Sequence, residues 1–327
     1  NGNGLAHAHA HAMKLKKNGQ KYRQIYGVEF YFVPDLNDWK DRFDLHKLTQ
    51  AKLKNKVDDG EGDGLVLEDA DASRTRMAAK DIKRRYHLVV NAKNQQGLQN
   101  LFTLVKLSYK DGFYRFPRID FNMLKKYGEG LVVSTACVGG YASGLIFEEI
   151  PETSFMDLNP TLINNDQLRN KIMGKLENMV DRFTDAVGVE NFFLELQFNK
   201  LGAQHLTNRA VLELAERTNI PLIATADAHY PGPDMWEARE LYRKLRPGML
   251  DKPENCVLPE REDLKTELYP KNAMQMWTEF LENREEKDNE FYHGKEAIVK
   301  DAIERTHDIA WQHCEEVCQF SFRYYTR

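Results

Sequence analysis

The chain has 327 residues, 42% of them hydrophobic, with a formal net charge of -4 and a pI near 6.2. That length allows one large α/β domain or two smaller ones around a sizeable core, and no run approaches the roughly 18 apolar residues of a membrane span. The charge excludes the global basic field of an obvious nucleic-acid binder, so such a partner would need local patches or metals.

The opening "NGNGLAHAHAHAMK" has no initiator methionine and no preceding strand, and it reads as the interior of a longer protein. A helix is predicted over Leu5 to Lys17. His7 and His11, four apart, share one of its faces and His9 another; with alanines between them, a solvated surface is expected. The basic run from Lys14 to Arg23 reads as a solvated helix end, with DNA-backbone contact as second choice. A strand follows over Ile25 to Phe32. The segment Pro34 to Arg85 is charge-rich with little apolar periodicity and is expected to be an insertion; its "DDGEGDG" lacks the spacing of a calcium-binding EF-hand loop.

Strands are then predicted at His87 to Ala92, Leu131 to Thr135, Phe192 to Gln197 and Leu222 to Thr225. They alternate with helices at Gln96 to Tyr109, Gln167 to Ala186 and Leu206 to Thr218. This is the pattern of an α/β fold with a mostly parallel sheet or barrel. After Pro233 only helices are predicted: Met235 to Leu245, Lys271 to Asn283 and Lys295 to Cys318. The four cysteines, at 137, 256, 314 and 318, lack the spacing of a disulfide framework, and no signal-peptide zones are visible, so reduced thiols and a cytoplasmic location are expected. Cys314 and Cys318, on one helix face beside His313, have no second pair to complete a zinc site, and helix packing is favoured.

The chemistry gathers where the strands end. In "IPLIATADAHYPGP", Asp227 and His229 are one residue apart and would project together if the strand geometry persists past Thr225. Ligands in parallel α/β folds collect at the carboxyl ends of strands. Glu29 ends "QIYGVEF", Cys137 follows "GLVVSTAC", and His87 opens "YHLVVNAKN". Together these five make a mixed oxygen, nitrogen and sulfur set that suits zinc, manganese or iron better than magnesium or calcium. Glu195, in "LELQ", is a candidate to hold a ligand by hydrogen bond. Arg115 and Arg118, among the aromatics of "FYRFPRID", are candidates to hold a phosphate or stack a frayed base, with ordinary packing an equal alternative.

These phrases resemble the PHP domain of bacterial C-family replicative polymerases, the DNA polymerase III alpha subunits. The resemblance rests on "GVEFYF", "YHLVVNAKNQQGLQNLFTLVKLSYKDGFYRFPRID", "GLVVSTACVGG", "FFLELQ" and "IPLIATADAHY", in order, and on "LYPKNAMQMW" and "ERTHDIAWQHCEEV" in the tail. It implies a PHP-type distorted seven-stranded β/α (TIM-like) barrel lacking its first strand or strands, followed by a helical C-terminal segment. Residues 1–232 would be a PHP domain truncated at its N-terminus, with a charged insertion at about 34–85, and 233–327 would lead toward a polymerase core that is absent. Glu29, His87, Cys137, Asp227 and His229 match the family's ligand positions, with Asp227 and His229 catalytic through bound metals. The cofactor implied is zinc, manganese or iron, up to three ions in a complete site and fewer here, because a His-x-His motif and an Asp-His-Gly motif would precede Asn1. The parent would be a DNA-directed DNA polymerase, a nucleotidyltransferase of DNA replication, whose PHP site is a metal-dependent 3'-5' exonuclease or phosphoesterase. Its partners would be DNA primer-template, the rest of the polymerase chain and other replisome subunits, with no membrane. A non-catalytic scaffold and a stand-alone phosphatase of the histidinol-phosphatase kind are the alternatives.

Overall fold

A computed structural model describes residues 4–44, 46–47, 84–150, 153–245 and 257–316. Most of the charged insertion, with Cys256 and Cys318, lies outside these. Six strands form one sheet: β1 (Gly27–Phe32), β2 (Tyr86–Ala92), β3 (Arg118–Ile119), β4 (Leu131–Ser134), β5 (Phe192–Leu196) and β6 (Leu222–Ala224), in the order β3-β1-β2-β4-β5-β6. β1 pairs parallel to β3, and β4, β5 and β6 pair parallel to one another. The expectation of a mostly parallel sheet needs one correction: β2 is antiparallel to both β1 and β4. The seven-stranded barrel goes further than these pairings, since β3 and β6 stand at opposite ends of the order.

Burial follows the strand period of two. In β1, Val28, Phe30 and Phe32 are buried while Glu29 is exposed, and in β2 Tyr86, Leu88, Val90 and Ala92 are buried. β4, β5 and β6 are buried throughout, as expected of strands covered on both faces. The helices α1 (Leu5–Lys17), α2 (Gln95–Lys110), α3 (Phe121–Tyr127), α4 (Tyr141–Glu148), α5 (Asp166–Val187) and α6 (Gly202–Thr218) follow in chain order, and a further helical stretch covers 36–44. Short polar side chains start three of them: Asn94 accepts from the amide of Gly97, Asp120 from Met123 and Asn165 from Leu168, caps worth about 1 kcal/mol each. α2 approaches the turn before β4 so closely that a Cβ on Gly97 would lie 1.7 Å from the Gly130 carbonyl oxygen, which is why glycine is required there. Phe32, Phe121, Tyr141 and Phe183 interlock at ring separations of 4.6 to 6.0 Å within the main core.

Beyond β6 lie only helices and irregular segments among the described residues: α7 (Trp236–Lys244), α8 (Ala273–Arg284) and α9 (Glu296–Asp308), with short 3-10 turns. The predicted helix to Cys318 is corrected here. α9 ends at Asp308 and becomes a wide turn over Ile309–His313, leaving Cys314 extended. Cys314 then packs with Ile309 against Val132, Phe193 and Ile223, which alternate with the main-core residues of β4, β5 and β6 and so face the other side of the sheet. The Arg23 guanidinium clasps this turn, donating from Nη1 to the carbonyls of Ala310, Trp311 and Cys314 at 3.2, 3.0 and 2.9 Å. His9 also departs from a purely solvated histidine run: its Nδ1 bonds the Tyr26 hydroxyl at 2.5 Å, while His7 and His11 are exposed.

Candidate active site

The reversal of β2 carries its first residues to the edge where β4, β5 and β6 end. His87 lies opposite Tyr31 and Val89 opposite Glu29, so Glu29 and His87 are diagonal neighbours on one face. Their side chains meet, Glu29 Oε1 at 2.6 Å from His87 Nδ1. That bond, more than anything else, holds the Glu29 carboxyl below the usual range and pushes the His87 imidazole up. Beyond β4, the Cys137 loop is tied to β2 by the His87 amide donating to the Gly139 carbonyl at 2.9 Å. Cys137 Sγ sits 3.5 Å from His87 Nδ1 and accepts from the Gly139 amide at 3.4 Å. Burial is the main cause that pushes its thiol up to about 12, so it is a neutral thiol at pH 7.

Asp227 and His229 come together by a route the strand argument did not foresee. β6 ends at Ala224, and Asp227 takes the left-handed conformation with φ of 48°, which breaks the alternation of an extended chain. The turn instead folds His229 back, its Nδ1 donating to the Asp227 carbonyl at 2.6 Å and standing 3.8 Å from Asp227 Oδ1. The amides of His229 and Tyr230 donate to the Leu268 carbonyl at 2.6 and 3.2 Å, docking the turn on the segment before α8. Burial, above all, pushes the Asp227 carboxyl up.

Beneath the rim Glu195 is wholly buried and its oxygens accept four hydrogen bonds. Ser134 Oγ donates at 2.7 Å, the Ala136 amide at 3.1 Å, Gln197 Nε2 at 3.2 Å, and Thr225 Oγ1 completes the set. The carboxylate thus links the end of β4, which leads to Cys137, with the end of β6, which leads to Asp227. Its polar partners were missed from the sequence, although Ser134, Thr135, Gln197 and Thr225 all stand where apolar runs stop.

The two candidate arginines separate. Arg115 is exposed, whereas Arg118 is 1% exposed, its Nη1 donating to the carbonyls of Tyr114 and Phe116 at 2.9 and 2.8 Å and its guanidinium lying 4.8 Å from the Trp39 ring. Burial lowers its pKa to about 10. Where it stands, Arg118 shapes the loop from inside. Arg85, passed over in the sequence, lies over the rings of Phe116 and Tyr31 at 4.2 and 4.8 Å; a basic residue directly ahead of the strand that carries His87 was the signal.

The donors fit zinc, manganese or iron in kind, and each histidine has Nδ1 anchored on oxygen with Nε2 remaining, as metal-binding imidazoles do. As they stand, among the described residues no group of three or more His, Cys, Asp or Glu is placed to hold one ion, and Glu29 and His87 bond each other. The rim opens into a cleft of about 440 Å³ shared by Glu29, His87 and His229.

A family model for the PHP domain matches residues 3–199. The chain belongs to the PHP family. This PHP chain is similar to the DNA polymerase III subunit alpha of Aquifex aeolicus, with 37% identity over 49% of its length, and to that of Chlamydia pneumoniae, with 31% identity over 52%. The similar protein of Saccharopolyspora erythraea is 27% identical over 69%. The matched parts are 12%, 13% and 15% of those relatives' own lengths. No helix among the described residues is long and apolar enough to cross a membrane.

Proposed function

We propose that this PHP chain is part of a replicative DNA polymerase III alpha subunit and that its rim acts on a primer end as a 3'-5' exonuclease or phosphoesterase. The meeting of Glu29, His87, Cys137, Asp227 and His229 at one edge of the sheet carries the reading. The relatives supply the polymerase context, with DNA primer-template, the rest of the polymerase and other replisome subunits as partners in the cytoplasm. Residues 1–232 then form the PHP part, a seven-stranded barrel when complete, and 233–327 lead toward the polymerase core. Zinc, manganese or iron is the cofactor of this reading, and such ions supply hydroxide near neutral pH. The residues' own contributions are an imidazole at His87 whose protonated form Glu29 favours, and at His229 a ring fixed in one tautomer by the Asp227 carbonyl. Incubation with a 3'-mismatched primer and manganese or zinc should release the terminal nucleotide, and Asp227→Ala and His229→Ala should each abolish the release. Release by both variants at the rate of the unaltered chain would refute catalysis here.

One observation favours a second reading. A buried Glu195 fastening the loops at the ends of β4 and β6 suits a non-catalytic scaffold that stabilises the polymerase. That reading stands if the unaltered chain releases nothing while both alanine variants melt at lower temperature.

A further inference from the structure

The cleft beside the rim has two kinds of lining: the polar Glu29, His87 and His229, and the rings of Tyr31, Tyr109 and Phe116 with Pro117. Large rings are left in water there: Phe116 is 38% exposed, Tyr109 47% and the adjoining Phe113 55%. They are ordered into faces. Tyr31 and Phe116 meet edge-on at 5.3 Å, and Tyr109 stacks on Phe113 at 5.9 Å with 16° between planes. The Arg85 guanidinium lies against the Tyr31 and Phe116 rings at 4.8 and 4.2 Å. Aromatic faces interleaved with a guanidinium are how proteins grip unpaired bases, since every base has a π-face and every nucleotide a phosphate. A volume of about 440 Å³ falls within the roughly 300–1,000 Å³ of small-ligand sites.

We propose that this cleft seats the unpaired base of a frayed 3' terminal nucleotide against Tyr31, Tyr109 and Phe116, with its phosphate toward Glu29, His87 and His229. The inference rests on the phosphoester reading above and names its substrate end as single-stranded. A terminal base that is still paired cannot enter, because its partner and the one neighbour it stacks on hold it in the duplex. Binding to the aromatic wall therefore selects a terminus that has already come unpaired. An aliphatic peptide anchor suits the cleft less well, because two imidazoles and a carboxylate share its walls.

The test is equilibrium binding of short oligonucleotides to the full 327-residue chain without added metal, so that binding is read apart from hydrolysis. Three 3' ends are compared: unpaired with a base, unpaired but abasic, and fully paired. The base-bearing unpaired end should bind at least about fivefold tighter than the abasic end, the low end for one base–aromatic stack. Phe116→Leu and Tyr109→Leu, which keep apolar bulk and remove the π-face, should each shrink that ratio toward one. Equal binding of abasic and base-bearing ends overturns the base pocket and leaves the phosphoester reading standing. No binding of any oligonucleotide, or capture of an apolar peptide in its place, also overturns it. If mismatched-primer release is absent but the fivefold preference is found, the pocket holds and the hydrolytic reading fails.

Discussion

Replacing Glu195 tests whether the rim is held from below. Glu195→Ala removes the acceptor of four donors in a wholly buried site. The hydroxyls of Ser134 and Thr225 can rotate toward other acceptors and Gln197 Nε2 keeps its bond to Thr225 Oγ1 at 3.1 Å, but the Ala136 amide cannot follow, and a buried orphan donor costs about 1–3 kcal/mol. Relief of the carboxylate's own desolvation offsets part of this, leaving a net loss of about 1–2 kcal/mol. For a domain of this size about 2 °C accompanies each kcal/mol, so melting should fall by about 2–4 °C. Glu195→Gln keeps the volume and one oxygen and should lose about half as much. Cys137 gives the local readout: its loop is pinned through the Ala136 amide, so mass-spectrometric mapping should show Cys137 alkylated faster in the order Ala, Gln, unaltered. A Glu195→Ala chain that melts within about 1 °C of the original, or labels Cys137 no faster, would refute the clamp.

Arg118→Met should cost about 1.5–3 kcal/mol, since it removes the guanidinium's bonds to the Tyr114 and Phe116 carbonyls, which keep their backbone donors, and oligonucleotide affinity should move only as far as stability does; an unchanged melt with weakened binding would place Arg118 on the substrate. The Glu29–His87 pair predicts a pH window. His87, raised above 6.5, stabilises fully below that value and loses its contribution as pH rises through its folded pKa; Glu29, lowered below 4.5, contributes above 4.5 and loses it as pH falls through its folded pKa. The melting difference between the chain and Glu29→Gln should therefore be widest from about 4.5 to 6.5 and shrink on both sides, and with side chains 45% and 33% exposed it should stay within about 1 kcal/mol. A difference that grows steadily toward pH 8 contradicts the assignment.

Five of the strands and most helices were legible because their apolar periods are long and uninterrupted, as in β2 and α5. The two-residue β3 carries no period at all and was not foreseen. The direction of β2 was hidden too, since an apolar run reads the same in either orientation, and only pairing with Val28 and Val133 through Val90 fixes it. For the site, residue types at strand ends were enough to choose Glu29, His87, Cys137, Asp227 and His229. Spacing misled only where a turn intervened, at Asp227. Arg118 was left between two readings because an arginine among aromatics looks the same in sequence whether the rings wall a cleft or enclose the guanidinium.

The backbone supplies an independent argument that these loops are shaped for a task. Among the described residues, the non-glycine positions with positive φ are Arg115, Ala136, Asn219, Asp227 and Asp288. Asn219 closes α6, where a left-handed residue is ordinary, and Asp288 lies in the turn between α8 and α9. The other three cluster: Arg115 adjoins Phe116 of the cleft, Ala136 precedes Cys137, and Asp227 is itself a candidate. A left-handed L-residue costs about 1–2 kcal/mol, least for Asp and most without excuse for Ala136, whose side chain makes no compensating bond. Ala136 is held there by its amide on Glu195, and the turn after Asp227 by the Leu268 carbonyl. A loop relaxed into ordinary geometry would turn Cys137 away from His87. Strain retained beside these acids, imidazoles and thiol, and fastened by a buried carboxylate, is the pattern of backbone outliers held in place at positioned sites, and it supports the proposed role of this rim.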